Sequence, residues 1–328
     1  MSRARIALID DYQGTALASA DWSRLDAETV VFRDPWRSED HAAEALRDFD
    51  IISLIRERTA FPASLIARLP RLKLLSMTGH RTTTLDAKAC TENGIVVTFT
   101  TSPASEAAAE LAVGLMLACA RDIPTADAAM RRGGWQEGRR MGMPLMGARL
   151  GIVGLGKLGS KVAAVGRAFG MDVTAWSPNL TPERAVAGSA RLVGKDELFA
   201  AADIVSVHLT LSDRTRGIIG RDDLARMKPG AILVNTARGP LIDEAALLQA
   251  LEEGRIKAGL DVYDVEPLPA DHPFRTLPNV VLAPHLGYVV GDAFAHFFKA
   301  SFDNIEAYLA GAPTNVLNPE VIGRERPR

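Results

Sequence analysis

Gly154-Leu155-Gly156-Lys157-Leu158-Gly159 constrains this chain more than any other stretch. The glycines follow an apolar run at 149–153 and open a helical pattern in which Leu158, Val162, Val165 and Phe169 share one face. Each glycine has a task in such a strand-to-helix turn. Gly154 makes the tight turn, Gly156 lets backbone approach a pyrophosphate, and Gly159 lets the helix pack on its strand. Unpaired amides at the helix start then face the phosphates. A second β-branched run, DVTAW at 172–176, completes a strand-helix-strand unit and separates this pattern from an ordinary glycine turn. The expected ligand is a dinucleotide, lined by Gly154, Gly156, Lys157, Leu158 and Gly159.

Where an acidic residue would take the ribose hydroxyls, the chain has Trp176-Ser177-Pro178-Asn179. An aspartate there would favour a free 2′-hydroxyl and repel a 2′-phosphate, so Ser177 leaves both NAD and NADP open. Arg184 is the nearest downstream cation. It reads either as a phosphate contact or as a solvated helix residue.

The surrounding chain has the same alternating character. RIALID, ETVVF, DIISLI, LKLLS and IVVT recur in the first hundred residues with helical stretches such as 38–48 and 62–69 between them. A second series starts at Ala148 with ARLGIVG, DVTAW, ADIVSVHL, AILVNT, IKAGLDV and NVVLAP. Alternation of this kind builds parallel α/β sheets. A length of 328 residues exceeds the roughly 100 to 200 of one ordinary core, so two domains are expected. Ser102 before Pro103 reads as a helix N-cap and marks a crossing between them. Phe294, Phe298, Phe302, Ile305 and Leu309 recur at helical spacing in a last helix, whose packing partner periodicity leaves open.

Charge narrows the function classes. Lys plus Arg (38) nearly balance Asp plus Glu (40), without the basic excess that holds nucleic acid or an anionic membrane. A small-molecule partner is favoured. Residues 111–120 are the longest apolar stretch and fall short of the ~20 that cross a bilayer. Cys90 and Cys119 have no metal-ligand spacing, and MSRARIALIDD lacks a secretory apolar run, so a reduced, cytoplasmic protein is expected, with no metal.

In an open α/β sheet, ligands lie outside the carboxyl ends of the strands. Three polar residues stand there. Arg238 follows AILVNTA, Glu266 follows KAGLDVYDV and His285 follows NVVLAP. A guanidinium fork grips a carboxylate through two hydrogen bonds. A histidine exchanges protons near neutral pH, and an acidic neighbour orients it and stabilises its charged form. Together they supply an anchor, a partner and an acid/base for a 2-hydroxy acid. Taken singly, each also reads as an ion-pair residue, a solvated loop carboxylate and a helix-capping histidine.

With GIVGLGKLG, MKPGAILVNTARGPLIDEAAL, GLDVYDVEPLP and NVVLAPHLG in this order and spacing, the chain resembles the D-isomer-specific 2-hydroxyacid dehydrogenase family, most of all its phosphoglycerate-dehydrogenase-like members, from about Arg5 to about Leu317. The resemblance implies two doubly wound parallel-sheet domains. One is a Rossmann dinucleotide-binding domain at 102–287; the other is a flavodoxin-like substrate domain formed by 1–101 and 288–328, with the cleft between them. It implies an enzyme moving a hydride between NAD or NADP and a small 2-hydroxy or 2-keto acid. Arg238 would anchor the substrate carboxylate, Glu266 would partner the histidine, and His285 would be the general acid/base. Asp261 would meet the nicotinamide amide, while His208, Leu209, Thr210, Asn235, Thr236 and Ala237 line the cofactor. From the other domain, backbone donors of the loop Met77-Thr78-Gly79-His80 would hold the carboxylate, with Arg56 near the distal end of the substrate. Thr78-Gly79-His80 departs from the commoner Val-Gly-Tyr pattern, which leaves the pocket shape open. The resemblance also implies a homodimer through the helix after Pro103, and the short tail gives no expectation of a C-terminal regulatory domain. Two rival functions stand beside this one. A formate dehydrogenase would carry glutamine in place of Glu266, and a dinucleotide-sensing corepressor would keep the pocket without turnover.

Overall fold

The computed structural model describes residues 3–79, 84–101, 106–138 and 141–323, so Ser102, Pro103 and His80 lie outside the described residues. The chain divides into two compact units, Met1–Ser105 with Val290–Arg328, and Glu106–Val289.

In the first unit five parallel strands, β1 (Ala4–Leu8), β2 (Ala27–Val31), β3 (Ile51–Leu54), β4 (Leu74–Met77) and β5 (Val96–Phe99), lie in the order β2-β1-β3-β4-β5. Helices α1 (Glu39–Leu46), α2 (Ala63–Ile66) and α3 (Ala87–Glu92) connect them. β3 and β4 are buried along their whole length, as expected of parallel strands covered on both faces. That burial is why they read as continuous apolar runs instead of alternating ones. Their two polar residues, Ser53 and Ser76, each meet the Ser301 hydroxyl at 3.1 Å.

Ser301 belongs to the last helix of the chain, Gly291–Leu309, which packs on β4 and β5 and resolves the question its periodicity left open. Phe294, Phe297, Phe298, Phe302 and Ile305 are buried on it, whereas Leu309 at its end is 38% exposed. The predicted stripe therefore stops one turn early, where the helix runs past the sheet.

In the second unit seven parallel strands are β6 (Arg149–Val153), β7 (Asp172–Trp176), β8 (Arg191–Leu192), β9 (Ile204–Val207), β10 (Ile232–Asn235), β11 (Lys257–Leu260) and β12 (Val280–Leu282). Their order is β12-β11-β10-β9-β6-β7-β8. β8 was not legible in sequence, because two residues carry no period. The helices are α4 (Ala107–Arg121), α5 (Ile123–Arg131), α6 (Lys157–Ala168), α7 (Pro182–Ala187), α8 (Lys195–Ala201), α9 (Arg221–Arg226) and α10 (Glu244–Glu252), so the last helix of the chain is α11. Strand order reverses between β6 and β9, and this switch point opens a crevice at the carboxyl edge of the sheet. Among the described residues no helix is long and apolar enough to cross a membrane.

The buried face of α6 differs from the stripe read in sequence. Val165 and Phe169 are 37% and 39% exposed, and Gly159, Val162, Ala163 and Gly166 are buried instead. A Cβ on Gly159 would come within 2.2 Å of the Gly154 carbonyl oxygen, and one on Gly166 within 2.6 Å of Leu150 Cδ2. The helix lies so close to β6 that only small residues fit, and proximity wins over side-chain size in selecting the face.

Candidate active site

The glycine turn after β6 has three different environments. Gly154 takes φ +100, and a Cβ there would meet the Leu209 amide nitrogen at 2.7 Å and the His208 carbonyl carbon at 2.8 Å. Gly156, the N-cap of α6, has nothing within 4 Å of its Cβ position. Crowding at Gly154 and Gly159 thus fixes the turn, while open space at Gly156 leaves backbone accessible at a helix N-terminus. Lys157 is exposed and Leu158 half-buried beside it. That cradle fits a pyrophosphate, which needs close backbone approach.

Other residues at the same sheet edge complete the crevice. Ser177 is half-buried just past β7, and Arg184 Nη1 donates to the Asn179 carbonyl at 3.2 Å, which holds the guanidinium against the same loop. His208 pairs through Nε2 with the Ser206 hydroxyl at 2.8 Å, and burial pushes its imidazole down to about 4, keeping it neutral at ordinary pH. Leu209 is half-buried and Thr210 exposed. Asn235 braces the next loop, accepting the Ala237 amide at 3.0 Å and donating to the Arg238 carbonyl at 2.9 Å. The buried Thr236 hydroxyl has no hydrogen-bond partner among the described residues, which suits a site made for a polar ligand.

His285 and Glu266 meet beyond the carboxyl ends of β11 and β12. His285 Nδ1 and Glu266 Oε2 are 2.5 Å apart, and Glu266 Oε1 accepts the Tyr263 amide at 2.9 Å. Both side chains are partly exposed, at 23% and 29%. His285 takes φ +53, a left-handed conformation that L-residues with a Cβ seldom adopt. Its amide donates to the Asp261 carbonyl at 2.9 Å. The Asp261 side chain then accepts the next two amides, Leu286 through Oδ1 at 2.6 Å and Gly287 through Oδ2 at 2.9 Å. Asp261 is fully buried, at 0% exposure, and burial pushes its carboxyl up to about 6, the two amides and the His285 charge pulling the other way. Each Asp261 oxygen thus accepts one amide of the loop that presents His285, a shaping role that the sequence, which pointed Asp261 at the nicotinamide amide, did not reveal.

Arg238 is tied to the same machinery through its neighbour. A Cβ on Gly239 would lie 2.2 Å from the Tyr263 carbonyl carbon and 2.6 Å from the Asp264 amide nitrogen. The turn after β10 is therefore pressed onto the loop that carries Glu266. Arg238 Nη1 donates to the Ala237 carbonyl at 2.6 Å, and the side chain is half-buried. The sequence did not single out the contact of Gly239 with Tyr263, although the Gly-Pro step after Arg238 is a tight-turn signal. Asp243 caps α10 by accepting the Ala246 amide at 3.0 Å. Among the described residues no group of three or more His, Cys, Asp or Glu could hold a metal ion.

The remaining candidates belong to the five-stranded unit. Arg56 takes φ +46 in the turn after β3, and its amide donates to the Thr78 hydroxyl at 2.9 Å. The Thr78 amide donates to the Leu54 carbonyl at 3.1 Å and the Gly79 amide to the Thr100 hydroxyl at 3.0 Å. These two donors, expected to hold a carboxylate, are engaged inside their own unit, because buried amides are satisfied wherever an acceptor is at hand. The loop's remaining residue, His80, lies outside the described residues.

Comparison with known proteins agrees with this architecture. Residues 113–287 match the family model described as D-isomer specific 2-hydroxyacid dehydrogenase, NAD binding domain. A D-3-phosphoglycerate dehydrogenase from Methanocaldococcus jannaschii is 38% identical over 292 residues, covering 88% of this chain and 55% of that one. The chain spans about half the length of the first curated relatives it matches. A hydroxypyruvate reductase from Thermotoga maritima is 38% identical over 299 residues, covering 89% of this chain and 94% of the relative. The crystal structure of a phosphoglycerate oxidoreductase from Vibrio cholerae superposes with a TM-score of 0.88 at 36% identity, covering 94% of this chain and all of that one.

The pressed turn makes a prediction. Gly239→Ala should force the Arg238 and Glu266 loops apart and lower kcat/KM for the reaction proposed below by about 100-fold, the scale of a ~1 Å misplacement. Gly194→Ala, at a glycine with nothing within 4 Å of its Cβ position, is the control and should leave kinetics unchanged. Parent-like kinetics in Gly239→Ala would show that the two loops do not depend on one another.

Proposed function

This chain belongs to the D-isomer specific 2-hydroxyacid dehydrogenase family, and from that premise we propose that it transfers a hydride between a nicotinamide dinucleotide and a small 2-hydroxy or 2-keto acid. The observation that carries the reading is the His285–Glu266 pair at 2.5 Å, set on the same sheet edge as the glycine cradle and Arg238. We assign the dinucleotide to residues 102–287 and the substrate's further contacts to 1–101 with 288–328. A bound nicotinamide supplies or accepts the hydride. The protein's own residues do the rest.

Arg238 offers its planar fork to the substrate carboxylate, which fixes the reacting carbon. With Nδ1 bonded to the Glu266 carboxylate, Nε2 of His285 is the nitrogen left for the substrate oxygen. In oxidation, neutral Nε2 takes the hydroxyl proton as the carbinol hydrogen leaves with its electron pair. In reduction, the imidazolium returns a proton to the ketone oxygen, and the Glu266 charge stabilises that imidazolium. Arg56 is assigned to the substrate's distal end and the Thr78-Gly79-His80 loop to the wall of its pocket, the Thr78 and Gly79 amides being engaged with Leu54 and Thr100. Ser177 allows either NAD or NADP. A second copy of the chain as partner, through α4, and a cytoplasmic setting complete the reading.

The charge of Glu266 gives the first test. Glu266→Gln removes the anion that favours the imidazolium, so keto-acid reduction should fail at lower pH than in the parent. Oxidation needs neutral imidazole and should persist to lower pH, even with a reduced maximal rate. The measurement is kcat/KM against pH in both directions with cofactor saturating. Two unmoved limbs would remove Glu266 as the partner of His285.

Cofactor choice gives the second. Ser177→Asp restores an acidic residue at the end of β7 and should shift preference toward NAD over NADP by roughly 1 to 3 kcal/mol of differential binding. Paired titrations of both cofactors into parent and variant measure this, and unchanged selectivity would mean that Ser177 does not face the ribose.

A further inference from the structure

One buried ionisable group has no task in this mechanism. Asp10 follows β1 at the carboxyl edge of the five-stranded sheet, beside the switch point between β1 and β3. It is 1% exposed and takes φ +65, a left-handed conformation that Asp and Asn adopt more readily than other residues with a Cβ. Its Oδ1 accepts the Thr59 hydroxyl at 2.7 Å and the Tyr12 hydroxyl at 3.5 Å. Its Oδ2 is buried with no hydrogen-bond partner among the described residues. A buried, unsatisfied carboxylate oxygen is costly, and a neutral acceptor would bind Thr59 without that penalty. A buried ionisable residue with an orphaned oxygen points to a functional demand.

The contacts of Asp10 converge on the turn after β3. Arg58 Nη1 donates to the Asp10 carbonyl at 2.6 Å and to Gln13 Oε1 at 3.1 Å. The Arg58 guanidinium lies 4.5 Å from the Tyr12 ring centre and 5.1 Å from that of Phe294 on α11. The Arg58 amide closes the turn on the Ile55 carbonyl at 3.1 Å. Thr78 therefore holds one end of the turn through the Arg56 amide, and Asp10 holds the other through Arg58 and Thr59.

We infer that Asp10 is a positioning residue for Arg56, whose ionised carboxylate fixes the turn from which Arg56 reaches the substrate. The inference rests on the assignment of Arg56 to the substrate. Burial pushes the Asp10 carboxyl up to about 6, while the Thr59 hydroxyl, the Arg58 charge, the Tyr12 hydroxyl and the Ile55 amide pull the other way. A folded-state value above the ordinary one means that ionisation costs stability as pH rises through about 6. The same ionisation strengthens the bond from Thr59 and adds charge attraction to the Arg58 guanidinium, whose hydrogen bond goes to the Asp10 carbonyl. As pH falls through that value the carboxyl gains a proton, the turn loosens, and substrate affinity drops.

The test is steady-state reduction of hydroxypyruvate and glyoxylate between about pH 5 and 8, spanning the titration, with cofactor saturating. It compares the parent with Asp10→Asn, Thr59→Val, Thr59→Ser and Arg56→Gln. Asn tolerates positive φ, so the first variant should fold. Asp10→Asn should raise the keto-acid KM roughly fivefold to tenfold, as loss of a charge-assisted contact does, with kcat within about twofold and the cofactor KM unchanged. The parent's rise in KM below pH 6 should vanish in that variant. Thr59→Val should reproduce the KM effect and Thr59→Ser should restore parent behaviour, so the Thr59 pair decides the matter if Asp10→Asn is unstable. If Arg56→Gln raises KM but Asp10→Asn matches the parent in KM and pH profile, Asp10 does not position Arg56. If Arg56→Gln leaves KM unchanged, the substrate assignment of Arg56 fails, and the inference with it. Parallel losses in kcat, cofactor affinity and Tm in Asp10→Asn would make its role structural and overturn the proposal.

Discussion

Asp261 accepts the amides of Leu286 and Gly287 while its carbonyl accepts that of His285, so one buried residue takes three successive donors from the loop after β12. Burial opposes charge on this carboxyl, and charge-assisted bonds to two amides offset part of that cost. What they secure is a histidine at φ +53, a conformation that free chain would abandon. With the backbone so fixed, the imidazole meets Glu266, which is itself aimed by the Tyr263 amide. The orientation of His285 thus depends on the backbone beyond β11 and β12 more than on its own packing.

Close backbone approach supplies the second constraint. Gly154 against His208 and Leu209, Gly159 against Gly154, and Gly239 against Tyr263 are places where a single Cβ would meet main-chain atoms. Main chain cannot rotate away as a side chain can, so these contacts fix the crevice with little tolerance. They also link neighbouring loops at the carboxyl edge of one sheet. Loops held in this way keep His285, Glu266 and Arg238 in a fixed relation to one another, as a preorganised site requires.

Much of this was legible in sequence because it rests on local pattern. β-branched runs and intervening helices indicated parallel sheets, and Gly154, Gly156 and Gly159 gave away their turn because each glycine answers a steric demand. Arg238, Glu266 and His285 were visible as polar residues directly after apolar runs. Tertiary demands were less legible. The face of α6 was misread since closeness to β6 selects Gly159, Ala163 and Gly166 over larger residues. The bonds from Asp261 to residues 286 and 287 were not legible, because sequence does not reveal which loop a buried carboxylate closes on. Asp10, by contrast, gave no signal at all: an acidic residue after a strand looks solvated until the fold buries it.

The central claim is that Glu266 holds His285 with its proton on Nδ1, leaving Nε2 for the substrate. Nitrogen-15 NMR of histidine-labelled protein reads this directly, with the His285 signals assigned by difference from a His285→Gln sample. In the neutral imidazole, the account predicts a protonated Nδ1 with a strongly deshielded proton and an unprotonated Nε2. A neutral ring carrying its proton on Nε2 would contradict it, because Nδ1 would then be an acceptor facing a carboxylate and the proposed proton path would have no base.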